Sequence, residues 1–120
     1  MTHNELSSRT IGCAIEVHRE LGPGSLESIY EECLIHVLRE HGLHVVTQQK
    51  VPIVFRGKAL GTPLRSDLLV EDMIIVEVKA VEAIHDIFQT TLLTYLRLSN
   101  KQLGLLINFH ESKLADGAVA

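Results

Sequence analysis

Glu77 and Lys79 lie inside the run Met73-Ile74-Ile75-Val76-Glu77-Val78-Lys79-Ala80, where every other residue is apolar. β-Branched residues at this density read as a strand, and apolar residues on both parities mean that both of its faces are covered. Alternate residues of a strand share a face, so Glu77 and Lys79 point the same way from the middle of a buried sheet. A buried charge is costly unless it is paired or bound to a metal. Upstream, Asp67 opens a second short apolar strand, Leu68-Leu69-Val70. An Asp followed on the next strand by Glu-x-Lys is the pattern of a two-carboxylate metal site with a lysine beside it. A Glu77–Lys79 ion pair that only satisfies itself is the competing reading, and it suffices for an isolated E-x-K.

Register decides whether the two acids meet. Residues opposed on antiparallel strands share a face, so Asp67 and Glu77 converge when they pair with each other. That pairing sets Val70 opposite Ile74 and requires the longer loop Glu71-Asp72-Met73, or a bulge. A turn made of Glu71-Asp72 alone would set Asp67 against Val76 and send the carboxylates to opposite faces. Two helical residues extend the set. Glu27 lies beside an apolar stripe, near Tyr30 and Leu34, where helix-start electrostatics alone would account for an acid. Gln89 falls on the line His85–Leu92–Leu96, which is read as inward, and an amide there must find partners.

The elements that must position these groups follow from periodicity. A first helix runs from about Asn4 or Ser7 to Leu21, with Ile11, Ala14, Ile15, His18 and Leu21 inward, and Gly22-Pro23-Gly24 breaks it. Ser25 caps a second helix whose stripe is Leu26, Ile29, Tyr30, Cys33, Leu34, Val37, Leu38 and His41, with Gly42 ending it. Two extended segments follow, His44 to Lys50 and Val51 to Phe55, then a turn at Arg56-Gly57-Lys58; Pro52 marks a strand start or sheet edge. After the strands bearing Asp67 and Glu77, a third helix spans Ala83 or Asp86 to Leu98, with Phe88, Leu92, Tyr95 and Leu96 inward. Leu103 to Phe109 is a last strand, and Ala115-Asp116-Gly117 a turn before a short tail. The order α-α-β-β-β-α-β predicts an α/β (α+β) sandwich with a mixed sheet of four strands.

Composition narrows the function classes. A chain of 120 residues, 46% hydrophobic and 22% charged, is expected to form one domain over 1–120. Its net charge of −4 argues against a strong, sequence-independent grip on nucleic acid by the monomer. It leaves room for an enzyme that meets a phosphodiester through a metal ion, because acidic ligands themselves lower the charge. With no Trp and 4% aromatic residues, base-stacking platforms are not expected. The histidines are scattered, with His41 and His44 the only near pair, which argues against a zinc protein. Cys13 and Cys33 fall in apolar helical stripes as small hydrophobes, and no leader or long apolar span is read, so a cytoplasmic protein with no membrane partner is expected.

Several ordered blocks carry a family resemblance. Gly24-Ser-Leu-Glu27-Ser-Ile-Tyr30 resembles the signature of the GxxExxY proteins, a bacterial and archaeal group of the PD-(D/E)XK nuclease-like superfamily. Arg65-Ser-Asp67-Leu-Leu-Val70, Val76-Glu77-Val-Lys79-Ala80-Val-Glu82, Gln89-Thr-Thr-Leu-Leu-Thr-Tyr95-Leu and Gly104-Leu-Leu-Ile-Asn108-Phe109 resemble its later blocks in the same order. The resemblance spans roughly residues 5 to 110 and implies an α-β-β-β-α-β core. It also implies Asp67 and Glu77 as metal ligands, Lys79 as the positioning cation, Glu27 as an accessory carboxylate and Gln89 as a helix-borne polar group. The tail is shorter than the group's usual end, so a final strand or helix is expected to be missing.

Hard carboxylate oxygens suit Mg²⁺ or Mn²⁺. Such an ion would activate a water toward phosphorus while Lys79 held the water or the developing charge. The sequence therefore points to a metal-dependent nuclease acting on DNA or RNA. The alternative is a non-catalytic, self-assembling scaffold or binding module that keeps the polar cluster as structure. Apolar character, with a mean hydropathy of +0.19, and edge segments such as Val51 to Phe55 predict a homo-oligomer in either case. Arg56, Lys58 and Arg97 could then line a path for a polyanion.

Overall fold

Three stretches of three-and-four periodicity become helices, and the residues that stop them can be named. Helix α1 (His3–Leu21) starts where Thr2 Oγ1 accepts a hydrogen bond from the Glu5 amide, 3.1 Å, and stops at Gly22. The Gly22 φ of 66° is one that glycine adopts freely. Helix α2 (Glu27–Glu40) ends in a Schellman arrangement: the Gly42 amide bonds the Arg39 carbonyl at 3.0 Å and the Leu43 amide the Leu38 carbonyl at 3.1 Å. This computed structural model describes residues 1–48, 50, 51, 53–61, 64, 65, 67–110, 118 and 119. The expectations for Pro52 and for the 115–117 turn lie outside them.

Strands β1 (Val45–Thr47), β2 (Lys50–Val51) and β3 (Val54–Phe55) run outward, and β4 (Lys58–Ala59), β5 (Leu64–Arg65) and β6 (Leu68–Val70) return antiparallel to them. The pairs Val45↔Val70, Lys50↔Arg65 and Phe55↔Lys58 follow one another toward the turn Arg56-Gly57, the first in the main sheet and the other two in separate two-stranded pairs. From β6 the chain enters β7 (Ile74–Lys79), crosses by α3 (Asp86–Ser99), and returns parallel to β7 as β8 (Leu103–Asn108). A mixed four-stranded sheet, β1-β6-β7-β8, results. Beside β8 the two-residue β9 (Ala118–Val119) pairs antiparallel, so the tail supplies an edge strand where none was expected.

Each face of the sheet has its own core. Helices α1 and α2 bury Leu6, Cys13, Val17, Tyr30, Leu34 and Leu38 against Val70, Ile74, Val76, Val78, Leu105 and Ile107. Helix α3 buries Leu92 and Leu96 against Leu69, Ile75 and Leu106. The α1 stripe is rotated from the one read in the sequence. Thr10 turns inward because its hydroxyl bonds the Leu6 carbonyl at 2.8 Å, and Leu21, read as inward, is 38% exposed. The expected Ser25 cap on α2 is also not formed. Leu26 holds the N-cap position with no side-chain bond, and it is 71% exposed.

Gly104 sits opposite Ile75 beneath α3, and a methyl group there would stand 2.8 Å from Leu92 Cδ1. Gly12, exposed on α1, has nothing within 4 Å of the same position. Gly104→Ala should therefore cost about 1–3 kcal/mol by overpacking. Gly12→Ala should add up to about 1 kcal/mol by helix propensity. Urea titrations of the two variants check the opposite signs.

Candidate active site

Register brings the acids together. Leu68 pairs with Val76 and Val70 with Ile74, so the next rung sets Asp67 against Glu77. The loop that makes this possible is Glu71-Asp72-Met73. Glu71 and Asp72 take φ of 51° and 55°, and the Met73 amide bonds the Val70 carbonyl at 3.0 Å. Lys101 pins the turn from outside, donating to the Asp72 carbonyl at 2.9 Å and its carboxylate at 3.0 Å. One more residue in the loop than a two-residue turn would supply puts both carboxylates on the same side of the sheet.

The Asp67 carboxylate accepts the Val78 amide at 2.9 Å through Oδ2. Glu77 Oε1 is buried and has no hydrogen-bond partner among the described residues. Burial first, then the charge of Asp67 and a hydrogen bond shared with its side chain, pushes the Glu77 carboxyl up from 4.5 to about 8. The Asp67 amide and the Lys79 charge oppose that rise without cancelling it. Lys79 does not close an ion pair with Glu77: among the described residues the ion pairs are His36–Glu40, His41–Glu16 and Lys101–Asp72. The Lys79 ammonium instead stands over the Phe88 ring, 5.0 Å from its centroid. Glu77 and Lys79 open into a cleft of about 280 Å³ whose α3 wall is Phe88, Thr91, Leu92 and Tyr95.

Neither helical residue read from the sequence lines the cleft. Glu27 is exposed in the first turn of α2. One turn on, Glu31 is the carboxylate that sequence reasoning missed. Its carboxyl is pushed up, mainly by burial, with the charges of Asp67 and Glu27 adding to the rise and a 3.1 Å hydrogen bond from Gln48 opposing it. Glu31 stands four residues after Glu27, on the same helix face. Gln89 does not turn inward. It is exposed, because α3 packs through Phe88, Leu92 and Leu96, and Thr91 and Tyr95 take the polar places on the cleft wall.

Two residues of the sequence blocks hold the frame. Tyr30 is fully buried and stacks on Phe109 at 4.5 Å. Its hydroxyl donates to the Gly22 carbonyl and accepts the Ser25 amide, so it locks the α1–α2 turn in which Gly24 has φ of 105°. Asn108, fully buried, binds both backbone groups of Val81 at 3.0 and 2.8 Å and so fixes the chain just beyond Lys79.

A model of the PD-(D/E)XK nuclease superfamily matches residues 4–119. The chain belongs to that superfamily. No curated protein and no solved structure gives a significant match. PD-(D/E)XK domains usually bind divalent metals, and the residues present fit one: a hard-oxygen pair, one oxygen of it buried and without a hydrogen-bond partner among the described residues, with no ion pair to Lys79. Asp67 and Glu77 would be the ligands. A second group able to hold a cation is Cys13, Glu16 and His41, where α1 meets the end of α2. Its sulfur and nitrogen donors are soft, its thiol is buried and pushed up by that burial, and His41 already pairs with Glu16 at 2.8 Å. No helix among the described residues is long and apolar enough to cross a membrane.

The Glu77 shift has a definite sign. Between about pH 4.5 and 8 the folded protein holds a proton that the unfolded chain has released, so the metal-free fold loses stability as pH rises through that window. Urea titrations in EDTA should show that decline, and Glu77→Gln should flatten it. Because a metal must displace the same proton, Mg²⁺ affinity should strengthen by up to about tenfold per pH unit until pH 8 is passed. Isothermal titration across the window reads it.

Proposed function

We propose that this PD-(D/E)XK domain is a metal-dependent nuclease that hydrolyses phosphodiester bonds in DNA or RNA. The observation that carries this reading is the buried Glu77 oxygen beside Asp67, which has no hydrogen-bond partner among the described residues, with the Lys79 ammonium over the Phe88 ring. A self-satisfied ion pair would have neutralised it. Mg²⁺ or Mn²⁺ held by Asp67 and Glu77 would activate water and neutralise charge on the phosphoryl group.

The chain's own residues supply the rest. The Val78 amide orients Asp67 through Oδ2 and leaves its other oxygen to a ligand. Phe88 holds the Lys79 ammonium at the mouth of the cleft without quenching it, so it can meet a phosphoryl oxygen or the attacking water. Glu31 serves as the accessory carboxylate, with Glu27 behind it. Thr91 and Tyr95 take the helix-borne polar role first read for Gln89. The finer likeness to GxxExxY proteins rests on Gly24, Glu27 and Tyr30, and of these Gly24 and Tyr30 serve the turn.

Supercoiled and linear DNA and RNA, incubated with Mg²⁺ or Mn²⁺, test the reading. Cleavage should vanish in EDTA and in Glu77→Gln, and should fall about 10²–10³-fold in Lys79→Ala, the scale of losing one charge-stabilising donor. Glu31→Gln should cost more than Glu27→Gln. Metal-dependent protection of the fold without cleavage of any substrate would favour the non-catalytic scaffold.

We also propose a homo-oligomer, as expected from the apolar composition. Its candidate contacts are Ile87 and Leu93, each 62% exposed on α3. Sedimentation at micromolar concentration decides it.

A further inference from the structure

The cations of this chain are not spread evenly. Residues 41–66 hold Lys50, Arg56, Lys58 and Arg65 and no acid, while the rest of the chain sets seven cations against fifteen acids, a charge of −8. The four cations of that acid-free stretch fall on the two-stranded pairs β2–β5 and β3–β4, which pair outside the main sheet and together form the ribbon: Lys50 pairs with Arg65, and Phe55 pairs with Lys58 beside Arg56.

At the tip the turn is Arg56-Gly57, with φ of 52° and 77°, and residues 54–61 are exposed. Phe55 is 59% exposed, and the Arg56 guanidinium stands over its ring at 5.3 Å. At the root the ribbon begins on the site itself: the Gln48 amide bonds the Asp67 carbonyl at 3.1 Å.

From this placement we propose that the ribbon is a basic arm that lies in the major groove of double-stranded DNA and delivers the adjoining backbone to Asp67 and Glu77. Charge selects the occupant. An acid-free arm on an otherwise acidic body attracts a polyanion, and the body repels it everywhere else. Shape selects duplex DNA over RNA, since the B-form major groove admits a two-stranded β-ribbon and the A-form major groove is too narrow. Among the described residues the Arg56 guanidinium has no ion pair, and at an exposed tip it can meet phosphate. The choice of polyanion rests on the nuclease reading, but binding is measurable without cleavage.

The experiment uses the full chain carrying Glu77→Gln, so that nothing is cut, and fluorescence anisotropy with a 20-bp DNA duplex, an RNA duplex of the same sequence and the single strands. Salt is varied from about 50 to 200 mM, the range over which phosphate contacts are read. Adding Arg56→Ala and Lys58→Ala should weaken DNA-duplex binding at least tenfold and lower the salt slope by about two, one unit for each lost phosphate contact. Circular dichroism and thermal melting should be unchanged, because both residues are exposed at a tip. Equal affinity and slope with and without the tip cations would overturn the arm, as would tighter binding of the RNA duplex or of single strands. The two readings fail separately. An active enzyme indifferent to the tip variants loses only the arm, whereas a tip-dependent binder that cuts nothing loses only the nuclease.

Discussion

Asp67 and Glu77 occupy one rung of an antiparallel ladder, and the remaining site geometry follows from that. Side-chain direction in a strand alternates with period two, so a shift of one residue in β6 or β7 would send one carboxylate through the sheet to the other side. The loop Glu71-Asp72-Met73 fixes the count, at the cost of two non-glycine residues with positive φ. Lys101 holds the loop from α3's far end, and Asn108 holds the chain as it leaves β7, so both ends of the Glu77 strand are tied to β8 or its approach. The parallel pairing of β7 with β8 in turn places α3 over Glu77 and Lys79, with Gly104 letting Leu92 come down onto the sheet. The cleft is thus a product of register and one missing methyl group.

Holding two carboxylates together costs the metal-free protein stability, and the structure leaves that cost largely uncompensated. Val78 and the Asp67 amide satisfy part of the pair, but Lys79 is turned to Phe88 and one Glu77 oxygen faces no donor among the described residues. An arrangement selected for stability alone would bring the ammonium onto the carboxylate, since both side chains leave the same face of β7. Unrelieved strain of this kind concentrates at functional sites, where a ligand supplies what the protein withholds.

Much of this was legible in the sequence, and the failures have physical causes. The Glu-x-Lys in an apolar strand, the need for a longer loop and the four-stranded mixed sheet all follow from period-two patterning, which leaves little freedom inside a covered sheet. Helix rotation was less legible. Thr10 was not read as inward because its hydroxyl's bond to a carbonyl four residues back is invisible in a hydropathy pattern. Gln89 and Glu31 fail the same way. On α3 the packed line runs through Phe88, Leu92 and Leu96, which puts Gln89 outside; on α2 the neighbourhood of Asp67 begins one turn later than the Glu27 motif suggests. A signal for Glu31 existed in its spacing of four from Glu27, but only the reach of the Asp67 charge to Glu31 gives that spacing meaning.

The net charge of −4 says less about a polyanion than the distribution of the charges does. A sum over the chain describes solubility and distant attraction, whereas a polyanion responds to the potential along its own path. Here the acids are concentrated on α1, α2 and around the β6–β7 turn, while Lys50, Arg56, Lys58 and Arg65 occupy an acid-free stretch that carries the β2–β5 and β3–β4 pairs. The short strands of that ribbon, read singly, look like exposed edges waiting for a second copy of the chain. Paired with one another they have few open edges, and they carry lysine and arginine, the residues that most discourage edge-to-edge association. The same feature that makes the ribbon a poor contact between copies makes it a good one for phosphate. The Gln48 amide bonds the Asp67 carbonyl at its root, so a polyanion held on the arm would lie beside the strand that carries Asp67.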